Sequence, residues 1–167
     1  KLDYFLNLVD ELLSQSGRIL VFSQFASMIN ILEEELESNG VTTSKLTGAT
    51  RKRDAAIEKF KSGLASVFLI SIKAGGTGLN LTEADTVIHY DPWWNPAVED
   101  QATDRTHRIG QEKPVFVYKL FMENSIEEKV LQLQAKKKKL QESIYSDGLE
   151  SKEKRVKGKE LLELLQN

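Results

Sequence analysis

The sequence predicts an α/β domain: a parallel sheet flanked by helices on both faces. Three observations carry that expectation. The short apolar runs "ILVF" at 19–22, "VFLI" at 67–70 and "TVIHY" at 86–90 have the character of strands buried on both faces. Segments of helical periodicity separate them, and parallel strands need such crossovers. The chain has 167 residues, enough for one domain with a real core and short for two.

The elements follow in order. Leu2, Phe5, Leu6, Val9, Leu12 and Leu13 recur at helical spacing until Gly17 breaks the pattern. After the strand at 19–22, Phe25, Met28, Ile29, Leu32 and Leu36 draw a second helix ending near "SNG" at 38–40. "TTSKL" at 42–46 is the next strand. A helix over 50–61 then presents Ala56, Ile57 and Phe60 as its buried stripe. The runs at 67–70 and 86–90 are further strands, and a helix is expected over 97–108. "VFVYKL" at 115–120 is another strand. A long helix then passes through Ile126, Val130, Leu133, Leu140 and Ile144. Residues 1–145 are therefore expected to form the main domain. Residues 146–167 are expected to be a polar linker and a short leucine-rich helix, "LLELL" at 161–165.

Composition narrows the chemistry. Cysteine is absent, which excludes disulfides and thiolate metal sites. His89 and His107 are too few and too separate to suggest a metal site. His89 alternates within a strand and is expected to be structural. No window reaches the length of a transmembrane helix, so no membrane partner is expected. The formal charge of −2 does not advertise nucleic-acid binding, yet a near-neutral chain can carry one basic face. The densest basic runs are "KKKK" at 136–139 and "KEKRVKGK" at 152–159. Because Lys1 already lies in a helical pattern, the chain is expected to be a piece of a longer one.

Three segments can carry chemistry. In "SIKAGGTGLNLTEAD" at 71–85, Gly75, Gly76 and Gly78 permit a tight turn and close approach to a ligand. A loop at the C-terminal edge of a parallel strand can aim N–H groups at phosphates. The segment contains neither GxGxxG nor the GxxxxGK cradle, so a plain glycine-rich connection is the alternative. "DPWWNP" at 91–96 sets Trp93 and Trp94 between prolines. One ring suits a core, while two in such a loop also suit stacking or docking. In "QATDRTHRIGQ" at 101–111, Gln101, Arg105 and Arg108 fall on one helical face. Arginine forks bind phosphate oxygens in bidentate fashion. Salt bridges with Glu99, Asp100 and Asp104 are the alternative. Asp85, Asp91, Asp100 and Asp104 share no spacing that selects a general base, and no nucleophile–base pair stands out.

Taken in order, these segments resemble the second RecA-like lobe of a Swi/Snf-type ATPase of helicase superfamily two. "ILVFSQF" at 19–25 resembles motif IV, and "LTGAT" at 46–50 with Arg51 resembles the short motif after the next strand. "SIKAGGTGLNLTEAD" resembles motif V, "DTVIHYDPWWNP" the tryptophan extension, and "QATDRTHRIGQ" motif VI. The match covers about 1–145, and DPWWNP together with HRIGQ is its most specific part.

The resemblance implies a P-loop-NTPase-type sheet and half of a DNA-dependent ATP hydrolase. Gln101, Arg105 and Arg108 would face ATP, with Arg105 and Arg108 catalytic and Arg108 the finger on the transferred phosphoryl group. Thr47 and Gly48 would touch DNA phosphate. Gly76, Thr77, Gly78 and Asn80 would couple DNA to the ATP cleft, and Trp93 and Trp94 would brace the DNA side or transmit closure. Mg2+ and the P-loop lysine would belong to the first lobe, so this piece alone is expected to be inactive. The implied partners are double-stranded DNA, the first lobe, and a protein substrate on the DNA. The implied location is the cytoplasm or nucleoid of a prokaryote, or the nucleus of a eukaryote. A non-catalytic DNA- or protein-binding module on the same fold is the competing expectation.

Overall fold

In the computed structural model, residues 1–74, 79–91, 93, 114–123 and 125–146 are described, the side chains of 137–146 excepted. Among them the chain forms α1 (Leu2–Ser14), β1 (Ile19–Ser23), α2 (Ala26–Ser38), β2 (Thr43–Leu46) and α3 (Arg53–Lys61). Then come β3 (Val67–Ser71), β4 (Thr86–His89), β5 (Phe116–Lys119) and α4 (Ile126–Ser146). The five strands form one sheet in the order β2-β3-β1-β4-β5, and every pairing is parallel. β1 sits at the centre, in register with β3 from Ile19↔Val67 and with β4 from Ile19↔Thr86.

Both faces of the central strands are covered, which is why these runs are apolar without alternation. Strand side chains point to alternate faces. Ile19 and Val21 therefore join Val67, Leu69 and Ile88 on the face packed by Phe5 and Val9 of α1 and by Ile29, Leu32 and Leu36 of α2. Leu20 and Phe22 join Phe68, Ile70 and Val87 on the opposite face, where Phe60 of α3 is wholly buried. Ala56 and Ile57 extend that contact along α3. The expected helix over 50–61 begins three residues later, because 47–50 close on themselves as a turn through Thr50 N–H to the Thr47 carbonyl, 3.1 Å.

The N-terminal edge of the sheet is closed by structural polar contacts. The Arg18 N–H reaches both carboxylate oxygens of Asp85 at 3.1 and 3.2 Å, and the Arg18 guanidinium lies 4.4 Å over the Phe60 ring. At Gly17 the chain doubles back on the end of α1. A β carbon there would meet the Leu12 carbonyl oxygen at 2.8 Å, so the turn needs glycine.

One compact unit runs Lys1–Gln134 and a second Ala135–Asn167. Glu127, in the first turn of α4, accepts from the Met122 N–H at 2.9 Å and from Lys1 Nζ at 2.6 Å. No helix among the described residues is long and apolar enough to cross a membrane.

Candidate functional site

Because all strands run one way, their C-terminal ends line a single edge, where open parallel sheets gather their ligand-binding loops. The exits from that edge are fixed by hydrogen bonds that continue past the strands. Ile72 N–H donates to the Ser23 carbonyl, Tyr90 N–H to Phe22 and Leu120 N–H to His89, each at 2.9 Å. The segments following β1, β2, β3 and β4 therefore leave side by side from a rigid rim.

Three polar contacts organise this rim. Ser23 Oγ, wholly buried at the end of β1, donates to Asp91 Oδ2 and accepts from the Phe25 N–H at 3.2 Å. Asp91 opens the DPWWNP segment, so its departure is tied to the central strand. Two residues on, the Trp93 carbonyl accepts from Gln134 Nε2 of α4. The Trp93 side chain is half-buried and packs against the cluster shared with α3. Between β4 and Asp91, Tyr90 has its phenol pKa raised above the usual 10.0 by burial and then by the carboxylates of Asp91 and Glu127.

After β2, Thr47 is buried and heads the tight turn: its N–H donates to Thr50 Oγ1 at 2.9 Å, and its hydroxyl accepts from the Ala49 N–H at 3.3 Å. Gly48 is exposed at the tip, and a β carbon there would meet nothing within 4 Å. Glycine at 48 is therefore required neither by protein crowding nor by a positive φ. At the start of α3, the Arg53 guanidinium donates through Nη2 to the Ala74 carbonyl at 3.0 Å, immediately before the glycine loop. Asn80 is exposed just beyond that loop, between the buried Leu79 and Leu81.

The structure thus brings Thr47, Gly48, Asn80 and Trp93 to segments leaving one sheet edge. Gly76, Thr77, Gly78, Trp94, Gln101, Arg105 and Arg108 lie outside the described residues, as does the expected helix over 97–108. Of the aspartates, Asp85 belongs to the opposite edge and its carboxylate serves Arg18. His89 is buried in β4 and stacks on Phe22 at 5.6 Å. Ser23, within the motif IV-like stretch, and Arg53 and Gln134 were not singled out individually by the sequence. Their partners are 68, 21 and 41 residues away, and Arg53 sits in a basic triplet with Arg51 and Lys52. A depression of about 470 Å³ opens elsewhere, between the start of α1 and the exit of β5, lined by Lys1, Tyr4, Lys119 and Phe121 among others. Among the described residues, none of the motif residues lines it.

An all-parallel sheet with this strand order, with its glycine and tryptophan segments following β3 and β4 on either side of the central β1, is a RecA-like lobe. Residues 1–110 match the family described as "Helicase conserved C-terminal domain", and the chain belongs to that family, as a second lobe of the Swi/Snf type. It is 47% identical over 133 residues to the Bacillus subtilis "Putative ATP-dependent helicase/translocase YwqA", which covers 78% of this chain and 14% of that protein. It is 42% identical over 161 residues to the human "Chromatin-remodeling ATPase INO80", 95% of this chain and 10% of that protein. The chain thus spans a small part of the length of these relatives. Among solved structures, the C-terminal part of the Fun30 ATPase domain superposes with a TM-score of 0.75 at 37% identity. That match covers 79% of this chain and 44% of the other.

Proposed function

We propose that this chain is the second motor lobe of an ATP-dependent translocase or remodeller acting on double-stranded DNA. The observation that carries this reading is positional: the described parts of the motif-like segments after β2, β3 and β4 all leave from one rigid edge of a helicase-family lobe. Relatives named as an ATP-dependent helicase/translocase and as a remodelling ATPase support it.

The residues here suit half of a composite site. The sequence has no triphosphate cradle, and the described residues hold no group of three His, Asp or Glu side chains able to bind a metal. We assign Mg2+ to a first lobe and place ATP between the two lobes, the nucleotide supplying the transferred phosphoryl group. This chain contributes Arg105 and Arg108, with Gln101 set by its sequence spacing on the same face of the expected helix. Guanidinium groups aimed at the phosphates neutralise charge that grows in the transition state. Arg108 is the finger. Thr47 and Gly48 contact the DNA backbone, where the open space at Gly48 admits a phosphate oxygen close to the main chain. The loop with Gly76, Thr77, Gly78 and Asn80 couples that contact to the cleft, and Trp93 and Trp94 brace the DNA side. Backbone contacts of this kind give little base specificity. By itself the chain is inactive.

The test is DNA-stimulated ATP hydrolysis by the complete two-lobe parent, with and without Arg108→Ala. The expected result is a loss of ~10³-fold or more in turnover with DNA binding retained, roughly 4 kcal/mol of transition-state stabilisation. Unchanged turnover would return the 101–108 face to a salt-bridged surface and favour a non-catalytic DNA- or protein-binding module.

A further inference from the structure

We infer that Arg53 is a positioning residue for the glycine loop at 75–78, acting through the Ala74 carbonyl that its guanidinium holds at 3.0 Å. This rests on the functional reading above and adds to it a residue that reading does not use.

The geometry supplies a rigid holder and a loop that needs one. Arg53 is the first residue of α3, and α3 is locked onto the core by Phe60, Ala56 and Ile57. A further bond from Ser44 Oγ to the Ala56 carbonyl, 2.7 Å, ties α3 to β2. The guanidinium therefore projects from a fixed platform. Arg51 and Lys52 beside it are exposed, whereas Arg53 is half-buried. On the loop side, the last main-chain bond to the sheet among the described residues before the loop is the Ile72 N–H to the Ser23 carbonyl. Arg53 extends the hold by two residues, to the position where three glycines in four begin. Glycine loses more conformational freedom on ordering than any other residue, so such a run depends on its anchors. At the far end, Leu79 and Leu81 are buried in the same core cluster that α3 packs on. The residues flanking the loop, Ala74 before it and Leu79 after it, are thus both held on one body, Ala74 through Arg53.

The same residue follows the Thr47–Thr50 turn, so its bond links that turn to the start of the glycine loop. A displacement of the β2–α3 turn by a bound phosphate would move the guanidinium, and with it the exit of the glycine loop. Arg53 acts on the reaction through the loop and not by touching substrate.

The test uses the complete parent carrying Arg53→Gln or Arg53→Lys, alongside wild type and Arg108→Ala. DNA-stimulated kcat, the KM for ATP and the thermal unfolding midpoint are measured for each. Arg53→Gln is expected to lower kcat by ~10- to 100-fold, the scale of a small misplacement near a reacting centre, with KM for ATP and the midpoint held. Arg53→Lys is expected to recover part of the loss, because an ammonium reaches one carbonyl but lacks the planar fork. Unchanged kcat in Arg53→Gln overturns the inference. So does a loss that tracks a fallen midpoint and is not regained by lysine. A wild-type parent that DNA does not stimulate, or Arg108→Ala with full turnover, overturns the functional reading and this inference with it.

Discussion

Gly48 shows how much one residue's surroundings can say. It is exposed at the tip of the turn after β2, and neither its backbone nor its neighbours forbid a side chain. Replacement by alanine should therefore leave stability unchanged or raise it by up to ~1 kcal/mol, through lost freedom in the unfolded chain. On the proposed reading, the same methyl group stands where a phosphate oxygen approaches. Gly48→Ala is thus expected to weaken DNA binding by the parent while its urea midpoint holds or rises. Equal affinity for wild type and variant would remove Gly48 from the interface. The sequence marked Gly48 by its place in "LTGAT", but it could not show that the space above it is open.

Between elements, the buried bond from Ser23 to Asp91 joins the end of β1 to the start of the tryptophan segment. Its donor is wholly buried and its acceptor nearly so. Ser23→Ala removes the hydroxyl and leaves Asp91 without that donor, a change expected to cost about 1–3 kcal/mol. Chemical unfolding of the protein carrying it measures the loss, and a change below ~0.5 kcal/mol, the ordinary surface range, would show that the bond anchors little. The elements themselves were legible. "ILVF" and "VFLI" became the adjacent strands β1 and β3, because a strand covered on both faces has no solvent side to keep polar. The contacts that join elements were not legible. Ser23 and Asp91 are 68 residues apart, and no local periodicity records that separation.

For the whole molecule, the formal charge of −2 means that a DNA-facing edge must draw its attraction from local cations and main-chain N–H groups. Binding by the parent should then fall linearly on a log–log plot against salt, with a slope of about −0.9 for each phosphate contact on duplex DNA. A titration from low to physiological salt measures it, and a slope near zero would exclude backbone-dominated binding. On the proposed reading, a composite motor would also account for a sequence in which no nucleophile–base pair stands out, since its chemistry would be carried by charges brought to a site that another lobe completes.

The sequence by itself determined the fold class, the order of the described elements and the family. These depend on local apolar periodicity and on short contiguous motifs, and both are written along the chain. Only the tertiary structure decided the strand order β2-β3-β1-β4-β5, the pairing of Asp85 with Arg18 and of Asp91 with Ser23, and the grip of Arg53 on the Ala74 carbonyl. Each of these is a pairing between residues far apart in sequence. It is set by which crossover lands beside which strand, and chain order alone does not encode that choice.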